Sequence, residues 1–283
     1  MRKAFERRRD LVVELARQIP GFKVNVPQGA FYLFPDVSYY YGKKFGDKVI
    51  ENSAQTFADN INEFNGMIGE RQVGCPLVVH RRCIEPMFSI SNLISYDNRM
   101  FNKTNKKEEY LKPENPFLIK KSGWINVEGV ENGGKDHFVK NQAERVCQLM
   151  EDAVHIYSDL FETDDRIFII TPFRTVAESM RKFIISYFSA KGYDKEILSK
   201  WTKNCVGTVH TFQGKDANEV LLVLGCSNKS AGAMNWVVKK ANILNVACTR
   251  AKYRIAFIGN INDWKNRRYF REFIPNLIDI INV

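Results

Sequence analysis

Residues 206–260 read VGTVHTFQGKDANEVLLVLGCSNKSAGAMNWVVKKANILNVACTRAKYRIAFIGN, and this stretch decides the fold. It holds two short polar blocks, Thr208–Gly214 and Asn245–Lys252, and each lies beside a long apolar run. In α/β proteins, polar residues at the ends of buried strands form the ligand sites. An arginine at one strand end, with a glutamine at another, indicates chemistry at a γ-phosphate.

Apolar runs alternate with helical patterns on both sides of this stretch. Unbroken apolar strands between helices indicate a parallel sheet that is covered on both faces. The predicted fold class is therefore α/β. We expect strands at 74–79, 124–127, 166–170, 206–210, 219–225 and 255–259, and helices at 137–158, 174–190 and 237–248.

The first 68 residues follow a different pattern. A helix is expected at 3–18, strands at 22–26 and 29–34, and one or two short helices within 45–68. A helix with two or three strands cannot bury its apolar face without a further layer. We therefore expect a small, incomplete α+β fragment that packs loosely on the sheet domain or stands apart from it.

Composition and charge bound the class of protein. The chain has 283 residues, of which 45% are hydrophobic, and a formal net charge of +10. These values support a buried core and favour a polyanionic partner such as nucleic acid. The six cysteines show no C-x-x-C spacing, so free buried thiols in a reducing compartment are expected. No apolar run reaches the roughly 18 residues that span a membrane, so we expect no membrane partner and a cytoplasmic location.

Arg250 and Lys252 lie just before the last predicted strand. A guanidinium can hold a phosphoryl group through two hydrogen bonds, as an arginine finger does. A basic helix end that complements the helix dipole is the competing interpretation, and the block alone does not decide between them. Gln213 has an amide that can orient a water or contact a phosphate, and Gly214 allows close backbone approach. A plain polar turn is the alternative for these two residues.

The segment Thr171-Pro172-Phe173-Arg174 ends one predicted strand and begins a helix. Free N–H groups and the positive end of the helix dipole attract phosphate at such a position. An ordinary N-cap with a solvated Arg174 is the alternative.

Two more polar blocks offer contacts to anions. Thr208, His210 and Thr211 can hydrogen-bond to a nucleic-acid backbone. Arg81 and Arg82 follow the strand predicted at 74–79, where adjacent arginines indicate either anion binding or surface charge.

One motif is misleading, and no metal site is predicted. Gly129–Asp136 has the spacing G-x-x-x-x-G-K, but Asp136 stands where a phosphate-binding P-loop needs Ser or Thr. A carboxylate there would repel phosphates, so we interpret the segment as a loop before the helix at 137–158. His137 and His155 have no second ligand at zinc spacing.

Taken together, four blocks in order (78–92, 168–174, 206–220 and 245–260) resemble superfamily 1 helicases. The resemblance is to the second RecA-like domain of that family and extends from about residue 72 to 275. It implies ATP with Mg²⁺ as cofactor, a single strand of DNA or RNA as partner, and a first RecA-like domain that supplies the P-loop lysine and the Mg²⁺ ligands. It implies catalytic roles for Arg250 as arginine finger, Gln213 and, in the HRR block, Arg81 rather than Arg82. It implies ATP contacts from Gln213, Gly214, Arg81, Arg250 and Lys252, and strand contacts from Thr171, Pro172, Arg174, Thr208, His210 and Thr211.

The N-terminal segment has a separate resemblance. MRKAFERRRDLVVELARQIPGFKVNVPQGAFYLFPDVS is similar to the C-terminal small domain of aspartate-type aminotransferases. The family's pyridoxal-phosphate lysine and carboxylate-binding arginine have no counterpart here, so pyridoxal phosphate is not expected. The sequence thus predicts an aminotransferase-like fragment at 1–53, a helical junction at 54–71 and a RecA-like helicase domain at 72–283.

Three functional hypotheses follow from these patterns. The leading one is the second half of an ATP-dependent helicase, which binds ATP weakly and does not hydrolyse it alone. The second is a nucleic-acid-binding module without catalysis, and the third is a fragment of an aminotransferase. Steep salt dependence of single-strand binding favours either of the first two over the third.

Overall fold

The chain forms two compact units, residues 1–76 and 77–283, in the computed structural model. The structure describes residues 2–27, 33, 35–45, 48–50, 66–68, 71–73, 78–104, 117–164, 166–212 and 214–281. The division into domains at 53 and 71 remains a prediction.

The first unit is built from one long helix and short antiparallel pairings. Helix α1 spans Arg2–Arg17. No strand forms at 22–26, contrary to the prediction, and a single antiparallel bridge joins Lys23 to Asp36. Two hairpins follow: β1 (Lys44–Phe45) with β2 (Lys48–Val49), and β3 (Gly66–Ile68) with β4 (Arg71–Val73).

Part of the first unit's predicted structure falls on residues that the structure does not describe. Residues 28–32 and 34, which hold most of the second predicted strand, lie outside the described residues. Residues 51–65 and 69–70 also lie outside the described residues, and of these 54–65 and 69–70 make up most of the predicted helical junction. Within the range 45–68, where one or two short helices were predicted, residues 45, 48–49 and 66–68 lie in strands and not in helices.

The second unit contains a six-stranded sheet in which every pairing is parallel, in the order β11-β10-β12-β13-β7-β14. Because paired strands run parallel, they are joined by crossover connections, which the helices between the apolar runs provide. The α/β, RecA-like class predicted from the sequence is confirmed. The six strands are β7 (Gly123–Asn126), β10 (Ile167–Thr171), β11 (Val206–Thr208), β12 (Ala217–Val223), β13 (Ala251–Gly259) and β14 (Asp279–Ile280).

Helices and two small strand pairs complete the second unit. The helices are α2 (Met87–Tyr96), α3 (Lys140–Ile156), α4 (Arg174–Ser189), α5 (Lys195–Cys205), α6 (Ala231–Val237), α7 (Asn242–Cys248), α8 (Ile261–Trp264) and α9 (Phe270–Leu277). The small pairs are β5 (Val79–His80) with β6 (Phe101–Asn102), which are parallel, and β8 (Glu131–Gly133) with β9 (Asp136–Val139), which are antiparallel.

Several helices differ from the prediction, and α2, α8 and α9 are not among the predicted helices. The helix expected to start at 137 begins at Lys140, because residues 136–139 pair with β8. Helix α5 was not predicted, although Asp194 caps it by accepting hydrogen bonds from Glu196 N (2.8 Å) and Ile197 N (2.9 Å). Of the helix expected at 237–248, only 242–248 forms a helix, α7, while residue 237 is the last residue of the preceding helix α6.

The core of the second unit surrounds the central strands. Trp124 of β7 lies parallel to Phe257 of β13, with ring centroids 5.7 Å apart, and Phe270 of α9 meets both rings edge-on. All three side chains are fully buried. Strand β12 is buried along its length except at Asn218, as expected for a strand between two helical layers. This core fixes the ends of β12 and β13, where the candidate site lies.

Candidate functional site

Four charged side chains gather at the amino ends of β12 and β13. Ala217 and Ala251 are paired at the start of these strands, which places the residues around them side by side. Asp216 binds Lys252 (Nζ to Oδ1, 2.8 Å) and lies 3.9 Å from Arg82 (Nε to Oδ2). Arg250 interacts electrostatically with both Arg82 and Asp216. Three cations thus surround one carboxylate, which leaves a local excess of positive charge.

Arg250 is buried and held by backbone carbonyls. Its Nη1 donates to Phe212 O (3.1 Å) and Lys215 O (2.8 Å), and its Nε donates to Val246 O (3.1 Å). Its side chain therefore closes the loop from Phe212 to Lys215. Burial lowers the pKa of Arg250 to about 10, and the charge of Arg82 acts in the same direction. Such a cation is stabilised by any anion that reaches it.

Arg82, and not Arg81, joins this group. Arg82 is half-buried beside Asp216, whereas Arg81 is exposed. The neighbouring His80 is buried, its Nε2 accepts from Cys83 N (3.0 Å), and its ring packs 5.3 Å from Phe88. This packing fixes the turn after β5 and directs only one of the two arginines to the cluster.

The loop closed by Arg250 contains Gly214, which has a φ of +88°. This left-handed conformation explains the glycine, since other residues rarely adopt it. Gln213 lies outside the described residues, so its predicted role remains a prediction.

The residues predicted to contact single-stranded nucleic acid lie at the carboxyl ends of β-strands β10 and β11. Thr171 and Thr208 are direct partners in the parallel register. Thr171 and Pro172 are buried, so neither presents its side chain to solvent. Thr208 Oγ1 lies 3.2 Å from Thr211 Oγ1, which ties the turn after β11 to the strand.

Arg174, His210 and Thr211 are the exposed members of this predicted group. Arg174 is the first residue of α4, and its Nε donates to Glu178 Oε1 at 2.8 Å. Its side chain is 87% exposed, so this ion pair is readily exchanged for another anion. The charged cluster around Asp216 and the residues predicted to contact nucleic acid therefore lie at opposite ends of the sheet. The loop from Val209 to Asp216 connects the two.

Glu219 is a charged core residue that the sequence reasoning did not select. It is fully buried in β12 and accepts hydrogen bonds from Leu118 N (3.0 Å), Ile119 N (2.7 Å) and Tyr157 Oη (3.0 Å). Burial raises its pKa to about 7, against the opposing effect of these bonds and of Arg254. A glutamate within the run ANEVLLVLG was the available signal, because a buried carboxylate needs partners.

The misleading G-x-x-x-x-G-K segment is a hairpin turn. Gly133, the last residue of β8, and Gly134, which follows it, both have positive φ, which is typical of a tight turn. It is no phosphate-binding loop, because β9 follows the turn where a P-loop needs the start of a helix. Asp136 accordingly lies in a strand and not beside a helix terminus.

The same hairpin forms a buried polar cluster that the sequence spacing did not reveal. His137 Nδ1 lies 2.7 Å from Glu131 Oε2, and Ser227 Oγ donates to Glu131 Oε1 at 3.0 Å. The Cys226 thiol completes a carboxylate, imidazole and thiol group within 4.8 Å. Glu131 and His137 are six residues apart and Cys226 is distant from both, so the search for zinc spacing could not find the group. Burial would raise the pKa of Glu131, but hydrogen bonds from His137, Ser230 and Ser227 lower it overall.

The sequence predicts free buried thiols and no segment that spans a membrane. Five cysteines in the described part of the chain are buried and are not joined in disulfides, as predicted. None of the described helices is long and apolar enough to cross a membrane.

Comparisons with known proteins match different parts of the chain to different proteins. A family model described as AAA domain matches residues 63–262. An uncharacterized ATP-dependent helicase of Methanocaldococcus jannaschii is 29% identical over 154 residues, which cover 53% of this chain and 20% of that protein. The regulator of nonsense transcripts 1 homolog of Arabidopsis thaliana is 33% identical over 136 residues, which cover 48% of this chain and 10% of that protein.

Similarity to aminotransferases falls on short N-terminal segments of the chain. A probable aspartate/prephenate aminotransferase of Aquifex aeolicus is 60% identical over 47 residues, covering 17% of this chain and 12% of that protein. The chain therefore spans at most a fifth of the length of these relatives. Both resemblances predicted from the sequence are confirmed.

Proposed function

This chain belongs to the AAA domain family, and from that premise we propose that its second unit is the second RecA-like half of an ATP-dependent nucleic-acid helicase. The observation that carries the proposal is the cluster of Arg82, Arg250 and Lys252 around Asp216 at the amino ends of two central strands. Similarity to helicases over half the chain supports it.

The cluster fits the charge of a triphosphate. Phosphoryl transfer depends on positioning and on neutralising charge at the transferred group. In our proposal, phosphate oxygens displace Asp216 as the partner of Arg82 and Lys252. This assigns the second phosphate-contacting arginine of the HRR block to Arg82, in place of the Arg81 inferred from the sequence.

Arg250 then has two roles. Its Nε and Nη1 hold the loop that carries Gln213 and Gly214, which makes it a positioning residue for that loop. Its Nη2 has one long bond, 3.4 Å to Thr249 Oγ1, among the contacts of the described residues. That amino group is available to a phosphate, so we propose that Arg250 acts as the arginine finger from this side.

Single-stranded nucleic acid binds at the opposite end of the sheet. Arg174, His210 and Thr211 contact the strand in this proposal, whereas Thr171 and Pro172 shape the turn that presents Arg174. The net charge of +10 supports a polyanionic partner.

The phosphate cradle and the Mg²⁺ ligands come from a first RecA-like domain in this proposal. ATP supplies the transferable phosphoryl group, and residues of this chain neutralise its charge. We propose that the chain alone binds ATP weakly and does not turn it over. Pyridoxal phosphate is not a cofactor in this account.

The test is strand-stimulated ATP turnover by the chain combined with a first RecA-like domain of a helicase relative. Arg250→Ala is expected to lower turnover by roughly 10³-fold or more, as loss of an arginine finger does. Arg82→Ala is expected to lower it by about 10²-fold. Arg81→Ala is the matched control, since its side chain is adjacent but exposed, and turnover should change less than threefold. Equal effects of Arg81→Ala and Arg82→Ala would contradict the assignment.

A non-catalytic nucleic-acid-binding module is the second candidate. The observation that favours it is the engagement of Arg250 with three carbonyls, which accounts for its burial without any phosphate. In that case the combined system shows salt-dependent strand binding, and no variant at Arg82 or Arg250 alters ATP turnover above background.

A further inference from the structure

A groove in the second unit lies beside the carboxyl ends of β12 and β13, between α6 and the segment that follows β13. Its lining includes Trp236, Lys239, Arg267, Arg268, Asn228 and Asn262. We propose that Trp236 is a base-stacking platform for single-stranded nucleic acid, with Lys239, Arg267 and Arg268 at the phosphates of the same strand. This inference rests on the proposed function, because it extends the strand-binding edge to a further set of residues.

Trp236 differs from the other tryptophans of the chain. Its side chain is 49% exposed, whereas Trp124, Trp201 and Trp264 are at most 2% exposed. Trp236 is the sixth residue of the short helix α6, in which Met234 and Val237 face the core. A large aromatic side chain in solvent beside cations is typical of a recognition surface.

The Trp236 ring is held in place from below. Phe173 lies 5.9 Å from it, with the rings inclined by 37°, and Phe173 in turn packs 4.8 Å from the His137 ring. The hydrogen bond between His137 and Glu131 fixes that imidazole. A platform fixed by packing loses little conformational freedom when a base stacks on it.

The cations of the groove are partly preorganised. Arg267 Nη1 donates to Asn235 Oδ1 (2.5 Å), and its Nε donates to Asp263 O (3.3 Å). Lys239 and Arg268 are exposed beside it. Asp263 is the acidic residue of the lining, so three cations face one carboxylate. This balance favours a phosphodiester chain, and asparagine amides add hydrogen bonds to sugars or base edges.

The position of the groove is continuous with the proposed strand contacts. Phe173, which supports Trp236, directly precedes Arg174 at the start of α4. β10 and β12 are neighbours, so their carboxyl ends form one edge. Ligands of open parallel sheets bind outside this edge. The groove therefore continues the line from β11 and β10 to β12 and β13.

The intrinsic fluorescence of the chain provides a direct test, because Trp236 is the exposed emitter among four. The intact chain is titrated with oligo-dT and with oligo-U, and binding is followed by tryptophan emission and independently by anisotropy of a fluorescein-labelled strand. We expect quenching of the acrylamide-accessible fraction of emission. Trp236→Ala should weaken binding by roughly five- to a hundredfold, the range for loss of one stacked base.

Three further variants separate stacking from structure. Trp236→Phe keeps an aromatic face, so its affinity should stay within threefold of the parent chain while the quenching signal is lost. Lys239→Ala should weaken binding and flatten its salt dependence. Lys200→Ala, an exposed lysine of α5, is the matched control and should change neither.

Each outcome decides the inference. If the nucleic acid binds without changing tryptophan emission, and Trp236→Ala binds it as tightly as the parent chain, the platform is overturned. The proposed function is then left intact. Absence of strand binding in both readouts overturns both. Poly-glutamate that quenched the emission as strongly and bound as tightly as the oligonucleotides would also overturn the platform. Such a result would show that the surface binds anions in general, without base stacking.

Discussion

The two units of this chain differ in how completely their apolar side chains are covered. In the described part of the first unit, the buried apolar side chains are those of Val13, Ala16, Val37 and Ile50, while α1 leaves Leu11, Val12 and Leu15 about half exposed. In the second unit one continuous core surrounds a six-stranded sheet. In the part of the first unit that the structure describes, a single α-helix with strands of two or three residues provides no second layer, whereas a parallel sheet with helices does.

The difference explains why function is assigned to one unit only. A binding site needs side chains held by a rigid scaffold. The cluster around Asp216 is held by β12 and β13, and the Trp236 ring is held by Phe173. The first unit is similar to 47 residues of an aminotransferase, which are 12% of that protein, and so matches a small part of a domain.

Limited proteolysis should show the largest difference between the units. Segments with little buried apolar surface open at almost no free-energy expense, whereas core elements open only with global unfolding, so cleavage rates should differ by roughly 10³-fold or more. Cuts within residues 1–76 should therefore precede all others. Mass spectrometry of the fragments measures this. Early cleavage within 117–281, with residues 1–53 spared, would contradict the comparison.

Truncation of a core aromatic side chain should have the next largest effect. Trp124→Ala removes a fully buried ring between Phe257 and Phe270, so the free energy of unfolding should fall by about 3–5 kcal/mol. Leu11→Ala on the exposed face of α1 is the matched control and should change it by less than about 0.5 kcal/mol. Urea denaturation followed by circular dichroism gives both values.

The pH dependence of stability should report the buried Glu219. Its pKa is raised to about 7 in the folded chain from an ordinary value of 4.5, so the folded state favours the protonated form. The corresponding stabilisation is present below pH 4.5 and is lost as pH rises through 7, by on the order of 3 kcal/mol. Glu219→Gln should remove this dependence. It should also destabilise the fold, because an amide N–H₂ would face the donors Leu118 N or Ile119 N. An unchanged pH profile in the variant would refute the assignment.

The smallest predicted effect concerns Arg174. Arg174→Ala removes an exposed ion pair within α4, so the stability should change by less than about 0.5 kcal/mol. In contrast, the slope of log affinity for a single strand against log salt should fall by about 0.7, the value for one phosphate contact. Binding titrations at several salt concentrations provide the measurement. An unchanged slope would remove Arg174 from the interface.

Much of the fold could be predicted because apolar runs mark the buried strands directly. Residues 166–170 and 219–225 were placed within two residues of β10 and β12. The hairpin at 131–139 was missed because its Gly133-Gly134 turn was interpreted as the approach to a helix. Helix α5 was missed although Gly192 and the cap Asp194 precede it. Both errors lie at turns, where local chemistry decides the structure and periodicity gives no signal.

The site could be predicted in residue type but not in contacts. Arg250 and Lys252 were selected from their position before a strand, yet the carbonyls that bind Arg250 and the pairing of Lys252 with Asp216 depend on the return of a distant loop. Arg81 and Arg82 are adjacent, so only the packing of His80 distinguishes them. The Glu131, His137 and Cys226 cluster likewise arises only when the hairpin meets the end of β12.

Binding of a fluorescein-labelled single strand tests the central claim most directly. Anisotropy titrations are made at 50 and 200 mM salt, with the intact chain and with the fragment left after proteolytic removal of residues 1–76. We expect equal affinities for the two proteins and a loss of roughly ten- to a hundredfold in affinity at the higher salt, as three to four phosphate contacts require. Binding that is insensitive to salt, or that disappears with the first unit, would contradict it.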